Sequence, residues 1–311
     1  MRRIATGIAL LSLLLTACSP GRLPAASGGG LEVVATFSVL GDLVRVVGGE
    51  HIELTTLVEA GQDTHTYQPI PAEGAALAEA ALVFENGLGF EPWQDDLYES
   101  SGSSARRVVV TALIEPISLA GELAGEGAQA VEHGEFDPHV WHNAANAVLM
   151  VRQIADALAT ADPANAEAYR ANAAGYTAEL QELDAWIFDQ VKRVPESHRK
   201  LVTTHDTFGY FAEHYGFQVV GTVLPASTEG ASPSAQQLAA LVEQVKAQGA
   251  PAVFAENVSS NTLINQVAAE AGVAVIASLY TDALGPPSSD GDTYLKMMRY
   301  NVTTITSALS Q

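Results

Sequence analysis

Short, nearly continuous apolar runs alternate along this chain with stretches whose apolar residues fall three or four apart, the spacing of one helical face. The first run, Leu31 to Phe37, predicts a strand, with Ser38 placed to cap a helix that continues to Val47 and stops at Gly48-Gly49. A second strand, Ile52 to Val58, leads into a polar loop containing His65. Pro71 to Ala80 reads as helix, Ala81 to Glu85 as a short buried strand and Val108 to Thr111 as another. Glu115 to Glu135 is rich in Gly, Ala and Glu without periodicity and predicts a surface loop. Asn143 then caps a helix from Ala144 to Thr160. The clearest pattern follows Asp162-Pro163, a cap with proline at the first helical position. Tyr169, Tyr176, Leu180, Leu183, Ile187 and Val191 recur at helical spacing before Pro195. A helix of about 30 residues spans ~45 Å at 1.5 Å per residue, too long for one small lobe, and predicts a spine between two.

The second half repeats the alternation. Strands are expected at Lys200 to Thr204, Gln218 to Val223, Ala252 to Ala255 and Val273 to Ile276. Helices are expected at Phe208 to Tyr215, Ser234 to Gln248, Ser260 to Ala271 and Asp290 to Leu309. Strand–helix alternation implies crossover connections and parallel sheets. The expected fold is therefore α/β, two similar lobes with parallel-sheet cores joined by one long rigid helix. The lobes are residues 31–161 and 195–311, the helix 162–194, and 311 residues exceed one ordinary core.

Charge narrows the partners. A net charge of −21, from 15 basic and 36 acidic residues, argues against nucleic acid and suits a cation binder. Residues 1–18 read as a lipoprotein signal peptide: a basic start, an apolar run from Ile4 to Leu15, and Leu15-Thr16-Ala17-Cys18, which looks like a bacterial lipobox. Cys18 would carry the lipid, and residues 19–30 form a flexible tether. The expected location is outside the cytoplasm, at the outer face of the cytoplasmic membrane or in the periplasm. Cys18 is the only cysteine, which removes disulfides and thiolate metal sites from consideration.

Three histidines and one aspartate sit beyond predicted strands, where open α/β sheets place their ligands. They are His65, His139, His205 and Asp282. Three imidazoles and one carboxylate form a full donor set for a borderline divalent ion, and leave a net charge near +1 around it. Zinc accepts the set tetrahedrally, while manganese prefers more oxygen donors. Neither a Gly-x-Ser-x-Gly elbow nor a His-Glu-x-x-His pair is present, so no enzyme is expected. Gly87-Leu88-Gly89 lacks the third glycine of a dinucleotide loop.

Asp63-Thr64-His65-Thr66-Tyr67-Gln68-Pro69, Asp137-Pro138-His139-Val140-Trp141, His205 to Phe211 and Ser278 to Gly285 resemble the signature stretches of bacterial zinc/manganese ABC-transporter solute-binding lipoproteins. The resemblance implies a metal held in the cleft between two lobes, with His65 and His139 from the first and His205 and Asp282 from the second. It implies delivery of the ion to permease and ATPase subunits; a monomer is expected, and a metallochaperone is a candidate further partner. Asp-Thr-His replaces the usual Asp-Pro-His, and the 115–135 loop carries only His133 where zinc members are His-rich. Manganese members often have Glu where this chain has His205, which turns the expectation toward Zn²⁺, with Mn²⁺ as the alternative. A surface adhesin and a metal-dependent hydrolase are the remaining readings. Glu256 and Asp206 are expected to hold imidazoles in place, and Trp141 and Tyr67 to wall the cleft. Proton competition for three histidines predicts weaker binding below about pH 6.

Overall fold

The computed structural model describes residues 29–119, 136–225 and 233–310. The signal segment with Cys18, nearly all of the tether, and most of the 115–135 loop with His133 lie outside the described residues.

The first half runs β1 (Leu31–Phe37), α1 (Ser38–Gly48), β2 (Ile52–Val58), α2 (Pro71–Glu79), β3 (Leu82–Glu85), α3 (Gln94–Ser101) and β4 (Arg106–Val109). Two helices follow, α4 (Ala144–Ala161) and α5 (Ala166–Val191). The second half runs β5 (Lys200–His205), α6 (Gly209–Tyr215), β6 (Gln218–Leu224), α7 (Ala235–Gln248), β7 (Ala252–Glu256), α8 (Thr262–Ala271), β8 (Ala274–Leu279) and α9 (Tyr294–Leu309). Each half forms a parallel four-stranded sheet, ordered β2-β1-β3-β4 and β6-β5-β7-β8. The strand order is the same in both. In each, the first strand has its successor on one side and the third strand on the other, which opens a crevice at the strand ends where connections diverge. Every residue of β3 and of β7 is buried, as central parallel strands require.

Side chains alternate across the second sheet and divide the interior in two. Leu201, Ala252 and Phe254 face a large core that also contains the first sheet's apolar face, α1, α4, α5 and α9. Val202, Val253 and Ala255 face a smaller core closed by Leu241, Val245, Ile264 and Val267 of α7 and α8. The larger core therefore continues from one sheet to the other. Tyr294, Met297, Val302 and Ile305 carry α9 into it, back toward the first half.

The spine α5 buries Tyr169, Ala173, Tyr176, Leu180, Leu183, Ile187 and Val191 on one face. Its 26 residues span ~39 Å. It starts at Ala166, after Pro163, and the Asp162 carboxylate accepts Asn165 Nδ2 at 2.7 Å and the Tyr169 hydroxyl at 2.8 Å. Those bonds fix the corner between α4 and α5, and the same carboxylate also accepts the Ala164 and Asn165 backbone N–H groups ahead of the helix. Leu180 is fully buried on this face. Leu180→Ala is expected to cost about 2–5 kcal/mol in the metal-free protein, read as a lower denaturation midpoint at unchanged slope.

Candidate metal centre

The structure brings His65, His139, His205 and Asp282 together, all buried, with one ligating atom from each lying within 4.8 Å of every other. The His65 and His139 Nε2 atoms are 3.3 Å apart. Asp282 Oδ2 lies 3.0 Å from His205 Nε2 and 3.6 Å from His65 Nε2, while Oδ1 lies 3.6 Å from His139 Nε2. Four donors at about 2.0–2.1 Å from one cation stand about 3.3–3.4 Å apart at the tetrahedral angle. Three lone-pair nitrogens and a carboxylate at these separations can hold one divalent ion.

Each donor is aimed by neighbours. The Asp137 carboxylate accepts the His139 backbone N–H at 2.9 Å, and the same oxygen lies 2.8 Å from Nδ1. With its proton on Nδ1, the ring presents the Nε2 lone pair inward. Asn86 Nδ2 donates to Pro138 O at 2.9 Å and fixes the same loop. His205 ends β5 beside Glu256 at the end of β7, in the crevice of the second sheet. Its backbone N–H donates to Glu256 Oε1 at 2.8 Å, and its Nδ1 pairs with Oε2. For His65, the backbone N–H donates to Asp63 at 2.9 Å and Trp93 Nε1 donates to Thr64 O at 2.8 Å. The Asp282 segment is held by Trp141 Nε1 on Thr281 O and by Ser38 Oγ accepting Leu284 N–H, both at 3.0 Å.

Aromatic rings close the site against water. Phe90 meets His65 at 4.8 Å and Trp141 at 4.8 Å between centroids, and Trp141 meets His139 at 5.4 Å. Tyr67 points elsewhere: its hydroxyl donates to Glu73 and its ring packs on Trp93. Both nitrogens of His205 face Glu256 and Asp282, which leaves neither for the adjacent Asp206. Asp137 and Phe90 were not anticipated. Asp137 had a usable signal, since a carboxylate two residues before a histidine can accept that residue's backbone N–H; Phe90 had none. His142 is also buried, between Trp141 and Phe208, with burial pushing its pKa down to about 3, so it stays neutral.

Residues 33–308 match the family described as ZnuA, zinc-uptake complex component A, periplasmic. The chain belongs to that family. Among ZnuA-family relatives, it is 37% identical to the manganese-binding lipoprotein MntA of Halalkalibacterium halodurans over 284 residues, 91% of this chain and 90% of that one. It is 30% identical to the manganese ABC transporter substrate-binding lipoprotein PsaA of Streptococcus mitis, over 96% of both chains. The periplasmic zinc binding protein TroA of Treponema pallidum superposes with a TM-score of 0.80 at 28% identity, covering 91% of this chain and all of that one. The two-lobed α/β architecture is thus that of the ZnuA family. The protein is the extracytoplasmic substrate-binding component of a metal ABC importer, and it is not an enzyme. Its partners are a permease and an ATPase. Among the described residues, no helix is long and apolar enough to cross a membrane.

Proposed function

We propose that this protein captures Mn²⁺ between residues 31–161 and 195–311, using His65, His139, His205 and Asp282, and delivers it to the permease. Cys18 lipid anchors it, and residues 19–30 give it reach from the membrane surface. Manganese takes precedence over the zinc expected from the nitrogen-rich donor set. The observation that supports it is the posture of Asp282, whose two oxygens both face imidazole nitrogens. A carboxylate so turned offers a fifth donor, which suits manganese's preference for oxygen and for higher coordination. Relatives named as manganese-binding point the same way.

Zinc is the second reading, favoured by the family's description and by TroA's. The two differ in a measurable way. At a shared nitrogen and oxygen site zinc binds more tightly than manganese, so cargo follows availability outside the cell more than affinity. Titration followed by electron paramagnetic resonance should show one Mn²⁺ bound per chain, displaced by equimolar Zn²⁺. Cells without the gene should lose uptake of radiolabelled manganese. Loss of zinc uptake with manganese uptake intact would overturn the assignment in favour of zinc.

A further inference from the structure

Asp137, which orients His139, belongs to the first half of the chain, yet the second half grips it. The first residue of α6, Gly209, lies so close that a Cβ built there would stand 2.5 Å from Asp137 Oδ2. The next residue, Tyr210, donates its hydroxyl to Asp137 O at 2.8 Å and accepts Ile117 N–H at 3.1 Å. Asp137 N–H in turn donates to Ile117 O at 2.8 Å. Asp137 is 2% exposed, and its other oxygen already serves the His139 backbone N–H and Nδ1. A carboxylate pinned at one oxygen and enclosed at the other has little freedom to turn.

We propose that Gly209 and Tyr210 are positioning residues through which the second lobe sets the orientation of His139, a donor of the first. The inference rests on the metal-binding reading above and adds a coupling to it. When the second lobe withdraws, His205 moves with β5, and His139 loses the enclosure that aims its ring. Lobe separation then weakens donors on both sides of the ion. Release is correspondingly steeper than the loss of second-lobe ligands alone would give.

Gly209→Ala is the direct probe, because alanine suits a helix and the added methyl meets only the Asp137 carboxylate at close range. In otherwise unchanged protein it should lower Mn²⁺ affinity about 10–100-fold, the usual effect of disturbing a ligand's supporting residue. In an Asp137→Ala background, where nothing remains to be pushed, the same methyl should have no further effect. Cobalt-loaded protein supplies a readout that general loosening would not move: its ligand-field absorption should change in Gly209→Ala and match that of Asp137→Ala. Equal losses in both backgrounds, or unchanged affinity and spectrum, would overturn the proposal. If the alanine variant does not fold, Tyr210→Phe decides, since it removes one hydroxyl and adds nothing. It should weaken Mn²⁺ binding several-fold with a shifted cobalt spectrum, and parental values for both would overturn the proposal. Parent protein that binds neither ion would instead refute the metal-binding reading itself.

Discussion

Asp282→Asn should weaken manganese and zinc binding by about two to three and a half orders of magnitude and leave the metal-free fold in place. Asp282 is the only anionic donor among the four and is fully buried, with His65, His139 and His205 all within 3.6 Å of its oxygens. Removing one partner from a buried charge pair typically costs about 3–5 kcal/mol, because the remaining charge has no water to turn to. A divalent ion among three neutral imidazoles is in that position. The fold should survive because the segment is held by other groups: the Thr281 and Leu284 backbone and the Asn257 side chain. Ligand-linked stabilisation offers the measurement, since the rise in melting temperature on adding metal scales with the logarithm of affinity. The asparagine variant should show almost none at metal concentrations that stabilise the parent. A parental shift would remove Asp282 from the donor set.

The same segment shows how the two halves are joined. Asp282 follows β8 of the second sheet, and Asn257 Oδ1 and Nδ2 hold its neighbours Thr281 and Ala283 from that side. Three bonds nevertheless run to the first half: Trp141 Nε1 to Thr281 O, Leu284 N to Ser38 Oγ and Gly61 N to Leu284 O, each 3.0 Å. Tyr294 adds a fourth and a fifth, its N–H donating to Asp42 at 2.8 Å and its hydroxyl to Trp141 O at 2.7 Å. A displacement of the second sheet must break these bonds or leave Asp282 behind. Either course strains the donor set as a whole, because His205 travels with β5.

Much of this was legible in the sequence where the pattern was long or the strand fully buried. β1 and β2 fall at their expected residues, and the buried stripe of α5 includes the six residues picked out by spacing. Helix α3 was missed because Gln94 to Ser101 is polar almost throughout and rests on the surface, so it carries no apolar period. Ser38 was misread for a different reason. Its hydroxyl has the chemistry of a cap, but it is used by Leu284, 246 residues away, and local pattern holds no trace of that contact. The start of α9 at Tyr294 follows the Thr293 cap, which accepts Lys296 N–H, where Asp290 had been expected to begin the helix. Glu256 was reachable because it ends a strand, and strand ends in parallel sheets converge. Its choice over Asp206 was fixed only by β5 and β7 lying side by side.

Acid should release the metal at higher pH than free imidazoles would suggest. Burial opposes a charge on His205, but the Glu256 and Asp282 carboxylates outweigh it and hold its pKa well above the ordinary value of 6.5. Burial also opposes ionisation of Asp282, yet His205 and His139 hold its carboxyl well below the usual carboxylate range. Metal-free protein at neutral pH therefore keeps a proton on His205, and an arriving cation must displace it. Apparent affinity should rise about tenfold per pH unit from about pH 6.5 upward, toward the raised pKa, with one proton released per ion. This extends the competition beyond the limit near pH 6 that three ordinary histidines would set. The stability of the metal-free form follows the opposite course. The raised His205 pKa contributes stability that is complete below about 6.5 and is lost as pH rises through the folded value. The depressed Asp282 pKa contributes stability that is present above about 3.9 and is lost as pH falls through its own. Between those limits the empty protein is most stable, and above them metal gains what the proton gives up. The melting-temperature difference between loaded and empty protein should thus widen as pH rises from 6.5 toward the raised pKa of His205. Calorimetric titration in buffers of different ionisation enthalpy counts the released proton directly. Flat affinity above pH 6.5 with no proton released would mean that His205 is already neutral when the ion arrives.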